Sequence, residues 1–222
     1  MDGRNIYQGT PEWFNDRLFH FTSSELYKLL TKPKSKHDRE AGKPSKTMEE
    51  YIFEKLAEDL TGQYNDSLDT KALKWGEIYE SEARLAYETV SGNKVDLCGF
   101  IEWSPMFGGS PDGLVGENGI IEIKCPFNTS NHVRYLLLET QYELNGLKPE
   151  YYAQIQGNLL VTGRIWCDFI SYDPRCVRPE FGLKILRVNR DDEFIGQIRN
   201  ALDNAERIKA RVTEKIIRLC NT

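Results

Sequence analysis

The 222 residues are 40% hydrophobic and 28% charged, which suits one soluble globular domain and leaves no run of about 18 apolar residues to cross a bilayer. Five cysteines (Cys98, Cys125, Cys167, Cys176, Cys220) without a Cys-x-x-Cys pair, and three scattered histidines, argue against a disulfide framework, a zinc site or an iron–sulfur cluster. Most of the thiols are expected to be small buried apolar groups. A net charge of −5 argues at first against a nucleic-acid partner.

The polar start, residues 1–5, lacks the apolar core of a signal peptide, so the expected compartment is the cytoplasm. Residues 22–30 read as a helix capped by Thr22, with Leu26, Leu29 and Leu30 on one face. Between residues 28 and 46 the charge reverses: six lysines and Arg39 meet only Asp38 and Glu40, a local excess of +5. Pro33, Gly42 and Pro44 make this segment read as a mobile basic loop. Such a run is more often a solvated face than a binding strip. An acidic exterior with one basic strip nevertheless suits an enzyme that holds DNA in an interior groove.

Residues 47–60 are amphipathic, with Tyr51, Leu56 and Leu60 as candidate core contacts, and residues 70–90 form a long helical segment. Strands are expected at 94–103, 108–115 and 119–125, a helix at 149–161, strands at 165–172 and 184–188, and a charged final helix at 191–219. This order describes a mixed α/β domain with a central sheet.

The chemistry concentrates in Ser110-Pro111-Asp112-Gly113 and, ten residues after Asp112, Glu122-Ile123-Lys124. Alternation along a strand puts Glu122 and Lys124 on one face and Ile121 and Ile123 on the other. The turn Gly116-Glu117-Asn118-Gly119 can fold the chain back and bring Asp112 beside Glu122. Two carboxylates beside an ammonium group suit a magnesium site with a water-activating or charge-stabilising neighbour, and point to phosphodiester hydrolysis. Glu80, on the long helix, could add a carboxylate, although Glu77, Glu82 and Glu88 on the same helix make a surface role as natural. Gln154 and Gln156 read equally well as satisfied interior amides. Arg17 and Ser24 could clasp a phosphate but carry no weight alone.

The ordered set Trp13-x-x-x-Arg17, Thr22-Ser23-Ser24, Lys71-Ala72-Leu73-Lys74-Trp75-Gly76, Tyr79-Glu80, Ser110-Pro111-Asp112-Gly113-Leu114, Glu122-Ile123-Lys124-Cys125-Pro126-Phe127 and Ala153-Gln154-Ile155-Gln156 resembles the phage lambda exonuclease family. That family, also called the YqaJ-like viral recombinases, lies within the PD-(D/E)xK nuclease superfamily. Tyr172-Asp173-Pro174-Arg175 looks like its late strand-end motif. The likeness spans about residues 10–195 of one nuclease domain, residues 1–222, with residues 196–222 as a C-terminal helix. It implies an α/β restriction-endonuclease-like core, a central mixed sheet flanked by helices.

The resemblance also implies a toroidal homotrimer that threads duplex DNA and degrades one strand processively from its 5′ end. The 3′ overhangs would serve a single-strand annealing partner. By match of position, Asp112, Glu122, Glu80 and the main-chain carbonyl of Ile123 would hold Mg²⁺, two ions per site, with Mn²⁺ as a substitute. Lys124 would orient or help deprotonate the attacking water and offset charge on the phosphate. Arg17, Ser24, Ser110 and Gln154 fall where the family holds the terminal 5′-phosphate.

One departure stands out. After Cys125-Pro126-Phe127 the family carries a basic residue, whereas this chain has Asn128-Thr129-Ser130-Asn131-His132. His132 and Arg134 are the candidates for that role, and Lys32, Lys34, Lys36 and Arg39 are further candidate DNA contacts. Other readings are a different nuclease on the same fold (an endonuclease, or a RecB/Cas4-like exonuclease) and a non-catalytic DNA-end-binding protein. The intact triad weighs against the last. The cysteine spacing weighs against a Cas4-like cluster.

Overall fold

The computed structural model describes residues 8–64 and 70–221, and the polar residues 1–5 lie outside them. In chain order, α1 (Pro11–Arg17) leads to β1 (Phe21–Thr22), α2 (Tyr27–Leu30), α3 (Lys36–Glu40) and α4 (Lys46–Thr61). Then come α5 (Lys71–Ser91), β2 (Val95–Asp96), β3 (Ile101–Ser104), β4 (Phe107–Gly109), β5 (Gly113–Val115) and β6 (Gly119–Lys124). Helices α6 (Thr129–Leu136), α7 (Gln141–Leu147) and α8 (Pro149–Thr162) precede β7 (Trp166–Tyr172), β8 (Leu183–Asn189) and α9 (Asp192–Cys220).

The larger sheet has the order β2-β5-β6-β7-β8, with β6 and β7 parallel and its other neighbours antiparallel. Strand β6 is its centre, and its pleat sorts the core. Ile120 packs with Tyr152, Ile155 and Leu159 of α8, whereas Ile121 and Ile123 pack with Ala83 and Tyr87 of α5. The helices α5 and α8 thus cover opposite faces. Helix α9 buries Ile195, Ile198, Leu202, Ala205 and Ile208, spaced by three or four residues, against Tyr51, Ile52 and Leu56 of α4. Among the described residues, no helix is long and apolar enough to cross a membrane.

Local chemistry sets the element ends. Thr70 accepts from Leu73 N at 3.2 Å and so starts α5, and Ser45 accepts from Met48 N at 3.0 Å at the start of α4. Gly116, at φ +53°, supplies the left-handed residue of the β5–β6 turn, whose register pairs Gly113 with Ile121 and Val115 with Gly119.

Several expectations change. Residues 94–103 are not one strand: β2 joins the larger sheet and β3 a smaller one, ordered β1-β4-β3. Residues 108–115 divide in the same way, because Ser110-Pro111-Asp112 breaks the ladder between β4 and β5. Thr22 makes no side-chain cap. It ends β1, parallel to β4, just before a 3-10 turn at Ser23–Glu25, and its hydroxyl sits 3.1 Å from Ser24 Oγ, so the expected helix is divided into that turn and the single turn of α2. The basic segment contains the short helix α3, capped by Ser35. Helices α6 and α7 lie where no element was expected. Of the cysteines, Cys167 is buried, Cys220 is exposed and the others are half-buried.

Candidate active site

The break between β4 and β5 places the first acid. Asp112 N donates to Ile121 O at 3.2 Å, which carries the pairing one residue beyond β5. Its Oδ2 accepts from Ile123 N at 2.6 Å, so the side chain stands in for the ladder carbonyl that the departing strand no longer supplies. Glu122 and Lys124 leave β6 towards α8. Lys124 Nζ donates to Glu122 Oε1 at 2.6 Å and to Gln154 Oε1 at 3.2 Å, and lies 4.7 Å from the centre of the Tyr151 ring. Asn158 Nδ2 donates to the other oxygen of Glu122 at 3.4 Å. From α5, Glu80 accepts from Arg84 Nη2 at 2.6 Å.

A second group forms beside the first. Trp13 Nε1 donates to Ser110 Oγ at 2.9 Å, and the Arg17 guanidinium lies 4.1 Å from the centre of the Trp13 ring. Arg17 Nη2 donates to Ser24 Oγ at 3.3 Å, while Arg17 Nε is buried with no partner among the described residues. One cavity of about 620 Å³ is lined by Arg17, Ser24, Ser110 and Gln154 together with Glu80, Asp112, Glu122, Ile123 and Lys124. Every residue expected to hold metal or the terminal phosphate therefore borders the same space.

Its electrostatics are those of crowded acids. Burial, and then the charge of Glu122, push the Asp112 carboxyl up to about 7. Burial also raises Glu122, and burial with the Asp112 charge raises Glu80. Burial works to lower Lys124, but Glu122 and Asp112 outweigh it and hold its ammonium above the usual lysine range. In this arrangement Lys124 is a charged donor.

Among the described residues, no three His, Cys, Asp or Glu side chains are gathered into a ready-made cation cage. Glu122 is turned to Lys124 and Glu80 to Arg84. The donor set still fits a hard divalent ion. It offers carboxylates and a carbonyl, and the carboxyls are raised by burial and by one another, a penalty that a bound cation would relieve. At the cavity wall the half-buried Cys125 thiol is pushed up to about 12 by burial.

His132 is withdrawn as a DNA contact. It is buried, with Nδ1 at 2.7 Å from Ser171 Oγ and Nε2 at 2.7 Å from Phe181 O, so neither nitrogen is free. Arg134 is exposed and donates to Asn131, which lines the cavity. Lys32, Lys34, Lys36 and Arg39 are exposed and do not line it. Arg39 is turned inward on its own loop, donating to Pro33 O at 2.8 Å and Lys34 O at 2.7 Å.

Trp13, Arg84, Tyr151 and Asn158 enter the site without having been singled out for it. Helical spacing carried the signal. Trp13 and Arg17, Glu80 and Arg84, and Gln154 and Asn158 are each four residues apart, and Tyr151 precedes Gln154 by three.

The central mixed sheet, its covering helices and the acids flanking a strand lysine define a PD-(D/E)xK fold. The YqaJ-like viral recombinase domain matches residues 12–165, and the chain belongs to that family. It is similar to an alkaline exonuclease, LHK-Exo, from Laribacter hongkongensis, at 32% identity and a TM-score of 0.79 over 96% of this chain and 98% of that one. LHK-Exo in complex with dAMP matches at 32% identity and a TM-score of 0.75, over 95% of this chain and 100% of that chain. A phage-related exonuclease from Haemophilus somnus 129PT shares the fold at 21% identity and a TM-score of 0.72, over 91% of this chain and 99% of that chain. No curated protein matches the chain.

Proposed function

We propose that this protein is a divalent-metal-dependent exonuclease that digests linear duplex DNA from the 5′ end and leaves 3′ single strands for recombination by annealing. The observation that carries the reading is the single cavity bordered by both residue groups, the acids with Lys124 and the Arg17–Ser24–Ser110–Gln154 set. The first set suits hydrolysis, and the second, with its arginine, hydroxyls and amide, suits a terminal phosphate. The mononucleotide dAMP seated in LHK-Exo is the kind of product such an enzyme would release.

Asp112, Glu122, Glu80 and the Ile123 carbonyl would hold the metal, on this reading two Mg²⁺ ions with Mn²⁺ as a substitute. A bound divalent cation supplies Lewis acidity, lowering the pKa of a water and drawing charge from the phosphoryl oxygens. Lys124 donates to a non-bridging phosphate oxygen and offsets the charge that builds there. Gln154 and Glu122 hold its ammonium in place, and Asn158 steadies Glu122. The enzyme would act processively as a homotrimer in the cytoplasm, with a single-strand annealing protein as its partner.

Linear duplexes labelled at either end, with and without a 5′-phosphate, test the reading in Mg²⁺ and in EDTA. Label should be lost from phosphorylated 5′ ends in Mg²⁺ alone, and Lys124→Ala should be inert yet folded. Loss from 3′ ends would overturn the polarity, and full digestion by Lys124→Ala the site.

A further inference from the structure

The late segment Tyr172-Asp173-Pro174-Arg175 has no part in the site as described, yet its arginine joins the elements that carry the acids. Strands β6 and β7 run parallel, with Lys124 paired to Ser171, so residues 125–127 and 173–175 leave the sheet side by side. There Arg175 Nη2 donates to Pro126 O at 3.0 Å and Nη1 to Phe127 O at 3.0 Å. Its Nε and Nη2 also donate to the two oxygens of Asp173, at 2.8 Å each, and Asp173 is itself fully buried. The guanidinium plane lies 4.3 Å from the centre of the Trp75 ring on α5. Trp75 in turn packs on Tyr79 at 4.4 Å and on Phe127 at 5.9 Å.

Four of the five N–H groups of the guanidinium are thereby engaged. A fork so committed has little left to offer a substrate phosphate, and its contacts instead tie three elements together. One is the end of β6, just beyond Glu122, Ile123 and Lys124. Another is the end of β7. The third is α5, where Glu80 lies five residues after Trp75, about 7.5 Å further along the axis. Glu80 is the one acid of the set not borne by the β5–β6 hairpin or its approach. Its separation from Asp112 and Glu122 is therefore set by how α5 docks on the sheet.

We propose that Arg175 is a positioning residue: stacked on Trp75 and hydrogen-bonded to the Pro126 and Phe127 carbonyls, it fixes Glu80 relative to Asp112 and Glu122 and so sets the affinity for the divalent ion. This rests on the metal-dependent reading of the site. Lysine cannot replace the fork, because an ammonium has neither the plane that stacks nor the paired donors that hold Asp173.

The test is Mn²⁺ binding to the full chain, followed by the loss of the free-ion EPR signal, in wild type, Arg175→Ala and Arg175→Lys, with hydrolysis measured across the same titration. Both variants should bind Mn²⁺ about ten-fold more weakly, and saturating ion should restore most of the wild-type rate. An unchanged binding midpoint, or a lost rate that saturating ion does not restore, would overturn the proposal. Trp75→Leu keeps every hydrogen bond of the fork and removes its platform; judged by the same two criteria, it decides the matter if the arginine variants do not fold. Wild-type protein that neither binds Mn²⁺ nor cuts would instead overturn the metal-dependent reading. Normal wild-type behaviour with unaltered variants overturns the clamp alone.

Discussion

Asp112 sits beside Glu122 with its carboxyl pushed up to about 7 by burial and by that second charge, so each carboxylate is costly to keep ionised without a cation. A carboxyl raised in the folded state favours folding only while protonated. Its contribution is complete below the unfolded value near 3.8 and is lost as the pH rises through about 7. Asp112→Asn keeps an oxygen for Ile123 N and removes the charge. In EDTA at pH 8 it should melt above wild type by a few degrees, at about 2–4 °C per kcal/mol for a chain of this size. In Mg²⁺ the order should reverse, because wild type alone gains from binding. Differential scanning fluorimetry in the two buffers checks both, and a lower Tm for the variant in EDTA would remove the strain argument. In the same cavity, Arg17 stacks on Trp13, and its Nε has no partner among the described residues. Arg17→Ala should weaken the preference for phosphorylated over hydroxyl 5′ ends by about 10–100-fold, the worth of one charged hydrogen bond. Equal discrimination by the variant in competition digests would take Arg17 out of the phosphate site.

At the scale of elements, the decisive event is the passage of the chain from β4 to β5, from one sheet to the other. Gly109 ends β4 with no room for a side chain: a Cβ there would collide with Ser23 Oγ and with Asn158 Oδ1. Gly109→Ala should cost about 1–3 kcal/mol in urea unfolding, the usual range for overpacking. It should also slow hydrolysis, because it displaces the asparagine that holds Glu122. Wild-type stability and rate together would show that the contact yields freely. This passage also marks the limit of what the sequence makes legible. The Asp112–Glu122–Lys124 set can be read because a hairpin turn and a two-residue pleat bring it together locally, and Ile121 and Ile123 fall on the predicted face. The division of residues 94–103 and 108–115 between two sheets cannot be read, since alternation shows that a strand has two faces and not which partner it joins. Helix α7 could have been found from Thr140 and Glu143, which form a reciprocal cap. His132 could not, because its burial depends on Ser171 and Phe181, both distant in sequence.

At the scale of the whole molecule, the surface is acidic on balance, and much of the basic segment is neutralised locally. Lys43 pairs with Asp38 at 2.8 Å, and Lys28 with Glu25 and Glu54. On the proposed reading, the basic segment of one chain therefore adds little to the steering of DNA. Ile78 and Leu85, seven residues apart on α5, and Leu137 and Tyr142 further along are largely exposed. On the proposed trimeric reading, contact between copies would be sought at such exposed apolar side chains. Sedimentation velocity should give three times the 25.7 kDa chain mass, and a monomer active at the same concentration would argue against a ring. Ser110, on the phosphate side, and Asp112, on the hydrolytic side, are separated by Pro111 alone, a reach of at most about 7 Å along the backbone. On the proposed reading that short bridge is a ruler. It holds the grip on a strand's end and the cut at one stride from each other, so the length of the fragment released is written into the backbone between two sheets.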